Sequence, residues 1–152
     1  MTEEKETMQQ CMIHPTAIID PQAKIGAGVK IGPYAVIGPH VTIGDGTEIM
    51  AHVVIDGWTT IGKNCRFFPS ASIGSEPQDL KFKGEKSYVI IGDRSVFREY
   101  VTVSRATGEG EETRIGSDCL FQACTHVAHN CIIGNHVIMS NCAGLAGHVV
   151  VE

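Results

Sequence analysis

Residues 25–49 read IGAGVKIGPYAVIGPHVTIGDGTEI, with isoleucine at every sixth position: Ile25, Ile31, Ile37, Ile43 and Ile49. The same phase runs back through Ile19 to Ile13 and forward through Ile55, Ile61, Phe67 and Ile73. It resumes at Ile91, Phe97 and Val103, and again from Ile115 through Phe121, Val127, Ile133, Met139 and Leu145 to Val151. Only Asp79, Glu85 and Glu109 break it. A fixed short period is the signature of a repeat architecture. Neither the helical period of about 3.6 nor the simple alternation of a strand produces it.

Glycine often follows the apolar residue, as at Gly26, Gly32, Gly38, Gly44, Gly62, Gly74, Gly92, Gly116 and Gly134. Glycine reaches backbone angles that other residues avoid, so these positions read as tight corners. The residue four after the apolar one is small: Val29, Ala35, Val41, Thr47 and Val53, then Cys65, Ser95, Cys119, Thr125 and Cys131. Large and small inward side chains alternating with corners predict a coil of short strands. Three hexads close one triangular coil, and parallel strands stack at about 4.8 Å from coil to coil. The expected fold is therefore all-β: a parallel β-helix of hexapeptide repeats, about seven triangular coils in a single domain over residues 13–152. A doubly wound α/β fold is disfavoured, because no long segment carries an amphipathic helical pattern.

The net charge of −5 argues against nucleic acid or an anionic membrane as the main partner. Residues 1–12 form a polar N-terminal tail, expected to be disordered and without the apolar core of a secretory signal. No run of apolar residues is long enough to span a membrane, so a cytoplasmic location is expected. Of the six cysteines, Cys65, Cys119 and Cys131 fill the small inward slot and read as buried hydrophobes. No CxxC pair is present, and cytosolic thiols stay reduced.

Two breaks interrupt the hexads, at 74–90 and 104–114. Glycine, charge and polarity mark both as loops projecting from the helix. Each keeps the phase, since Ile73 to Ile91 and Val103 to Ile115 are whole numbers of hexads. Binding residues tend to be placed on such loops, and Gln78, Asp79, Lys81 and Lys83 make a polar cluster suited to a sugar nucleotide. Four of the seven histidines, His14, His40, His52 and His136, read as surface residues. His126, His129 and His148 differ. His129 and His148 are one coil plus one residue apart, which sets them about one strand spacing apart on one side. Histidine is the usual general base near neutral pH. Gly147 leaves its backbone N–H open to a developing oxyanion.

Several segments together resemble the bacterial acyl-[acyl-carrier-protein]–UDP-N-acetylglucosamine O-acyltransferases, the family that opens lipid A biosynthesis. They are Ile13–Ala17 (IHPTA), Ala71–Gly74 (ASIG), Gln78–Lys81 (QDLK), Ile91–Arg94 (IGDR), Arg98–Thr102 (REYVT), His126–His129 (HVAH) and Leu145–His148 (LAGH). The resemblance implies that the β-helix is left-handed, against the usual crossover preference. It implies His129 as the base that deprotonates the sugar 3-hydroxyl and the Gly147 N–H as oxyanion donor. His126, His148, Gln78, Asp79 and Lys81 would hold UDP-N-acetylglucosamine, and the acyl donor would be acyl carrier protein. No metal or other cofactor is implied, because direct transfer needs a base, a positioned hydroxyl and an oxyanion donor. Family members are homotrimers with sites in the clefts between prisms.

Three departures accompany the resemblance. An acidic residue usually follows the catalytic histidine, whereas Asn130 stands here; a carboxylate raises the basicity of an imidazole, and an asparagine only orients it. Sequence ends at Glu152 in mid-repeat, so the C-terminal helical domain of the family is expected to be missing, along with the acyl-length ruler. The polar tail precedes the first coil. Competing readings are the related UDP-3-O-acyl-glucosamine N-acyltransferase, which shares a His-Asn pair, and an inactive structural β-helix. A zinc hydratase of the γ-carbonic-anhydrase kind would need two histidines five residues apart, and none have that spacing.

Overall fold

A computed structural model describes residues 11–152; most of the N-terminal tail, residues 1–10, lies outside the described residues. The chain winds as a left-handed parallel β-helix with three faces of seven strands each. Strands are mostly two residues long, a polar or exposed residue followed by the inward apolar one, as in Lys30–Ile31 and Val36–Ile37. The first face runs from Met12–Ile13 to Ile138–Met139, the second from Ile18–Ile19 to Gly144–Leu145, the third from Lys24–Ile25 to Val150–Val151.

Register follows the hexad. Ile13 pairs with Ile31 and Ile31 with Ile49, so an undisturbed coil takes eighteen residues. Tyr88 pairs with Trp58 and Glu112 with Tyr88, so the two interrupted coils take 30 and 24 residues. Twelve extra residues and then six leave the prism as loops, and the inward columns stay in line. Part of each sequence break is strand, in Ser72–Ser75, Tyr88–Ile91 and Glu112–Ile115, so the projecting segments shorten to 76–87 and 105–111.

The core is the prism interior. Ile31, Ile37, Ile43, Ile49, Ile55, Ile61 and Ile73 are sealed, and Phe67, Phe97 and Phe121 stack face to face at 4.7 and 4.9 Å. Each such side chain contributes about 1.5–3 kcal/mol by leaving water. The small inward slot does more than fill space. Thr47 Oγ1 and Ser95 Oγ donate to corner carbonyls of the next coil, Gly62 O and Gly116 O, both at 3.0 Å. Cys65 Sγ does the same to Gly92 O at 3.1 Å. Burial pushes the Cys65 thiol up to about 11, which fits an inert packing role. Every cysteine is free.

The corners differ from the expectation for glycine. The left-handed residue is the third after the apolar one: Tyr34, His52, Asn64, Ser70, Arg94, Tyr100, Asp118, Cys124, Asn130, His136, Cys142 and His148, with φ between 55° and 66°. Of the glycines directly after the apolar residue, only Gly74 has positive φ. Close stacking of coils is what demands the others. A Cβ on Gly44 would lie 2.5 Å from Gly62 O, and one on Gly116 equally close to Gly134 O. Among the described residues no helix is long and apolar enough to cross a membrane.

Candidate active site

One edge of the prism, between the second and third faces, gathers the unusual residues. The coil corners at Gly38–Val41, Asp56–Gly57, Ala128–Cys131 and Ala146–Val149 stack along it, and both projecting segments leave from it. Because both loops insert whole hexads, the edge remains straight past them. Asp79 on the first loop is thereby brought beside His129, which follows the strand His126–Val127 on the second face.

His129 has a defined partner on each side. Its Nδ1 lies 2.9 Å from Asn130 Oδ1. That oxygen also accepts the Thr107 N–H at 2.9 Å, while Asn130 Nδ2 donates to Thr107 O at 3.2 Å. The paired backbone contacts fix which end of the amide is oxygen. An oxygen facing Nδ1 requires Nδ1 to carry the proton, so the lone pair sits on Nε2 of the neutral ring. Nε2 faces Asp79 Oδ2 at 3.7 Å, with the two side chains only 15 % and 16 % exposed. In the neutral tautomer Nε2 and Asp79 Oδ2 are both acceptors, able to receive a shared donor.

Asp79 is prepared as an anion. The Lys81 backbone N–H, 3.0 Å from Oδ1, is the main reason its carboxyl lies below the usual range. The His148 ring meets that of His129 edge-on, with centroids 5.2 Å apart and planes at 88°. Gly147 lies against the flat of the same imidazole: a Cβ there would collide with its Cε1, Nε2 and Nδ1. The ring position therefore requires glycine at 147. The Gly147 N–H makes no hydrogen bond among the described residues.

His126 projects outward from the second face, one corner away. Its Nδ1 is 2.7 Å from Thr102 Oγ1, on the strand paired with it. Burial holds this imidazole below the ordinary histidine range, so it is neutral near pH 7. Gln78 and Lys81 stay exposed on the loop, and their side chains pair with no described residue. Thus His129, Asp79, Gly147 and His148 converge, His126 flanks them, and Gln78 and Lys81 border the opening.

Thr102, Thr107 and Thr113 escaped the sequence reading. Thr113 Oγ1 accepts the Asn130 N–H at 2.9 Å and completes the shell around that residue. Thr102 was legible in principle, since it precedes His126 by one coil plus the six residues of the second loop. Of the surface histidines, His40 stacks on Trp58 at 4.8 Å and His52 on Tyr34 at 5.2 Å. Among the described residues no three His, Cys, Asp or Glu side chains converge as a metal site.

Residues 8–107 match the family described as GMPPB C-terminal domain, and residues 112–147 match bacterial transferase hexapeptide (six repeats). The acyl-[acyl-carrier-protein]–UDP-N-acetylglucosamine O-acyltransferase of Thermodesulfovibrio yellowstonii is 53% identical over 141 residues, covering 92% of this chain and 55% of its own. The enzyme of the same name from Synechocystis sp. is 56% identical over 140 residues, covering 92% and 51%. The solved structure of LpxA from Acinetobacter baumannii superposes with a TM-score of 0.89 at 49% identity, over 91% of this chain and 54% of that one. The chain spans about half the length of the curated relatives it matches. The chain belongs to the family described as GMPPB C-terminal domain.

Proposed function

We propose that this chain carries the sugar-acylating site of an acyl-[acyl-carrier-protein]–UDP-N-acetylglucosamine O-acyltransferase. It transfers a 3-hydroxyacyl chain from acyl carrier protein to the sugar 3-hydroxyl, the first step of lipid A biosynthesis. The observation that carries this is the His129 geometry: proton on Nδ1 toward Asn130, lone pair on Nε2, and Asp79 Oδ2 3.7 Å from that nitrogen.

In this reading His129 Nε2 takes the proton of the 3-hydroxyl as its oxygen attacks the thioester carbonyl. A C–O bond forms, and the carbonyl oxygen becomes an oxyanion facing the Gly147 N–H. Collapse breaks the C–S bond, and the carrier thiolate leaves with the proton held on His129. General-base catalysis of this kind contributes about 10²–10⁴-fold, and the oxyanion donor about 10²–10³-fold. Asp79 accepts from a second donor on the sugar, while His126, His148, Gln78 and Lys81 contact the remainder of UDP-N-acetylglucosamine.

The site completes itself against a neighbouring subunit of a homotrimer. Leu80, between Asp79 and Lys81, is wholly exposed. In this reading that side chain faces the neighbouring subunit. The acyl-length ruler and the helical C-terminal domain belong to the part of the relatives that lies outside this chain's span, and the setting is cytoplasmic. Formation of UDP-3-O-acyl-N-acetylglucosamine from a 3-hydroxyacyl carrier protein and UDP-N-acetylglucosamine tests the proposal. Acylation only of a free 2-amino sugar nucleotide would instead support the N-acyltransferase reading.

A further inference from the structure

We propose that Arg105 is a positioning residue that clasps the 76–87 loop to the β-helix and so holds Asp79 opposite His129. Arg105 directly follows the strand Thr102–Ser104. Its backbone N–H donates to Ser75 O at 3.0 Å, at the point where the loop leaves the preceding coil. Its side chain turns under the loop, and the residue is 8% exposed. The guanidinium centre lies 5.1 Å from the Phe82 ring and 5.8 Å from the Trp58 ring. Trp58 belongs to the strand Trp58–Ile61 of the scaffold, and Phe82 to the loop. One cation therefore bridges an aromatic of the β-helix and an aromatic of the loop.

The hydrogen bonding of this guanidinium does not explain its burial. Among the described residues Nε has no hydrogen-bond partner, and Nη2 reaches only Glu76 Oε1 at 3.5 Å, a carboxylate that is largely exposed. Burying a charge so sparsely bonded is costly. A planar, weakly hydrated guanidinium is the cation that two aromatic faces repay. Gly57 borders it closely: a Cβ there would lie 2.6 Å from Gly74 O and 3.3 Å from Arg105 Cδ.

The loop has little else to hold it there. Among the described residues no backbone hydrogen bond from Pro77 to Gly84 reaches the β-helix, the Phe82 N–H bonding within the loop to Asp79 O at 3.0 Å; Pro77 is buried where the loop starts, and the Thr107 hydroxyl stands beside the Asp79 carboxylate. Further along, Glu85 Oε1 accepts the Gly108 N–H at 2.9 Å and Ser87 Oγ donates to Ala106 O, so that end is tied to the second projecting segment. Beyond these ties, the tip of the stretch carrying Asp79 is secured by Phe82 on Arg105. The catalytic meaning of the clasp rests on the function proposed above; the clasp itself does not.

Trp58 is the sole tryptophan, and Lys81 and Lys83 are trypsin sites on the loop, so two readouts need no turnover. In Arg105→Ala and in Phe82→Ala, cleavage at Lys81 and Lys83 rises about tenfold or more, because cleavage follows the open population. Acrylamide quenching of Trp58 rises in both. The double variant goes no further than either single one, and Arg105→Lys, with charge but no plane, restores the clasp only in part. Phe82→Ala lies on the loop and leaves the prism core intact, so it reports even if Arg105→Ala folds poorly. Cleavage and quenching at wild-type levels in Phe82→Ala and Arg105→Lys would overturn the clasp. Loop release with unchanged affinity for UDP-N-acetylglucosamine supports the clasp while removing the loop from the sugar site.

Discussion

His129 Nδ1 donates to Asn130 Oδ1 at 2.9 Å, and that oxygen is locked in place by the Thr107 backbone. Asn130 is therefore matched to its surroundings: its Nδ2 donates to Thr107 O, which a carboxylate cannot do. Asn130→Ala is expected to lower kcat by about 10–100-fold, the scale of a lost orienting partner, because it frees the ring and the loop together. Asn130→Asp keeps the acceptor and retains most of the activity. Steady-state kinetics on both variants make the comparison.

Gly147 is expected to tolerate no side chain. In Gly147→Ala the new methyl occupies the place of the His129 ring, so the imidazole must swing away from Asn130. A displacement near 1 Å costs about 10²-fold in kcat. The coil itself is untouched, so thermal unfolding should move little while turnover collapses.

Stability should depend on pH through His126. Burial depresses its folded value, so the unfolded state takes up the proton first as pH falls. Its contribution is full above about pH 6.5, the unperturbed value, and is lost as pH falls through the lowered folded value. The thermal midpoint should decline across that window, and His126→Asn should make the decline shallower. Thermal melts of both proteins from about pH 8 to pH 5 check this.

Phe97 is sealed between Phe67 and Phe121 in the aromatic column. Phe97→Ala should cost about 3–5 kcal/mol, the range for a buried phenylalanine that leaves a cavity. Phe97→Leu, which refills most of the space, should cost less. Denaturant titration measures both.

The hexad made the architecture legible because one inward position repeats with little variation from Ile13 to Val151. It also carried the pairing of His129 with His148, since register alone sets them on adjacent coils. It misread the glycine slot: periodicity marks that a position is special, and does not separate a left-handed angle from a close approach to the next coil. At Asn130 the resemblance led to the expectation of an acid, but the bonds to Thr107 depend on the fold of the second projecting segment. Arg105 and Phe82 were silent for the same reason. Both lie in stretches where the repeat is interrupted, and their meeting is a tertiary contact between two loops.

The most direct measurement of the central claim is kcat for acyl transfer from a 3-hydroxyacyl carrier protein to UDP-N-acetylglucosamine in wild type and His129→Ala. Loss of about two orders of magnitude or more is the expected result, with the fold intact by circular dichroism. Turnover retained within a few-fold in the alanine variant would contradict His129 as the base, and with it the assignment of this edge as the catalytic site.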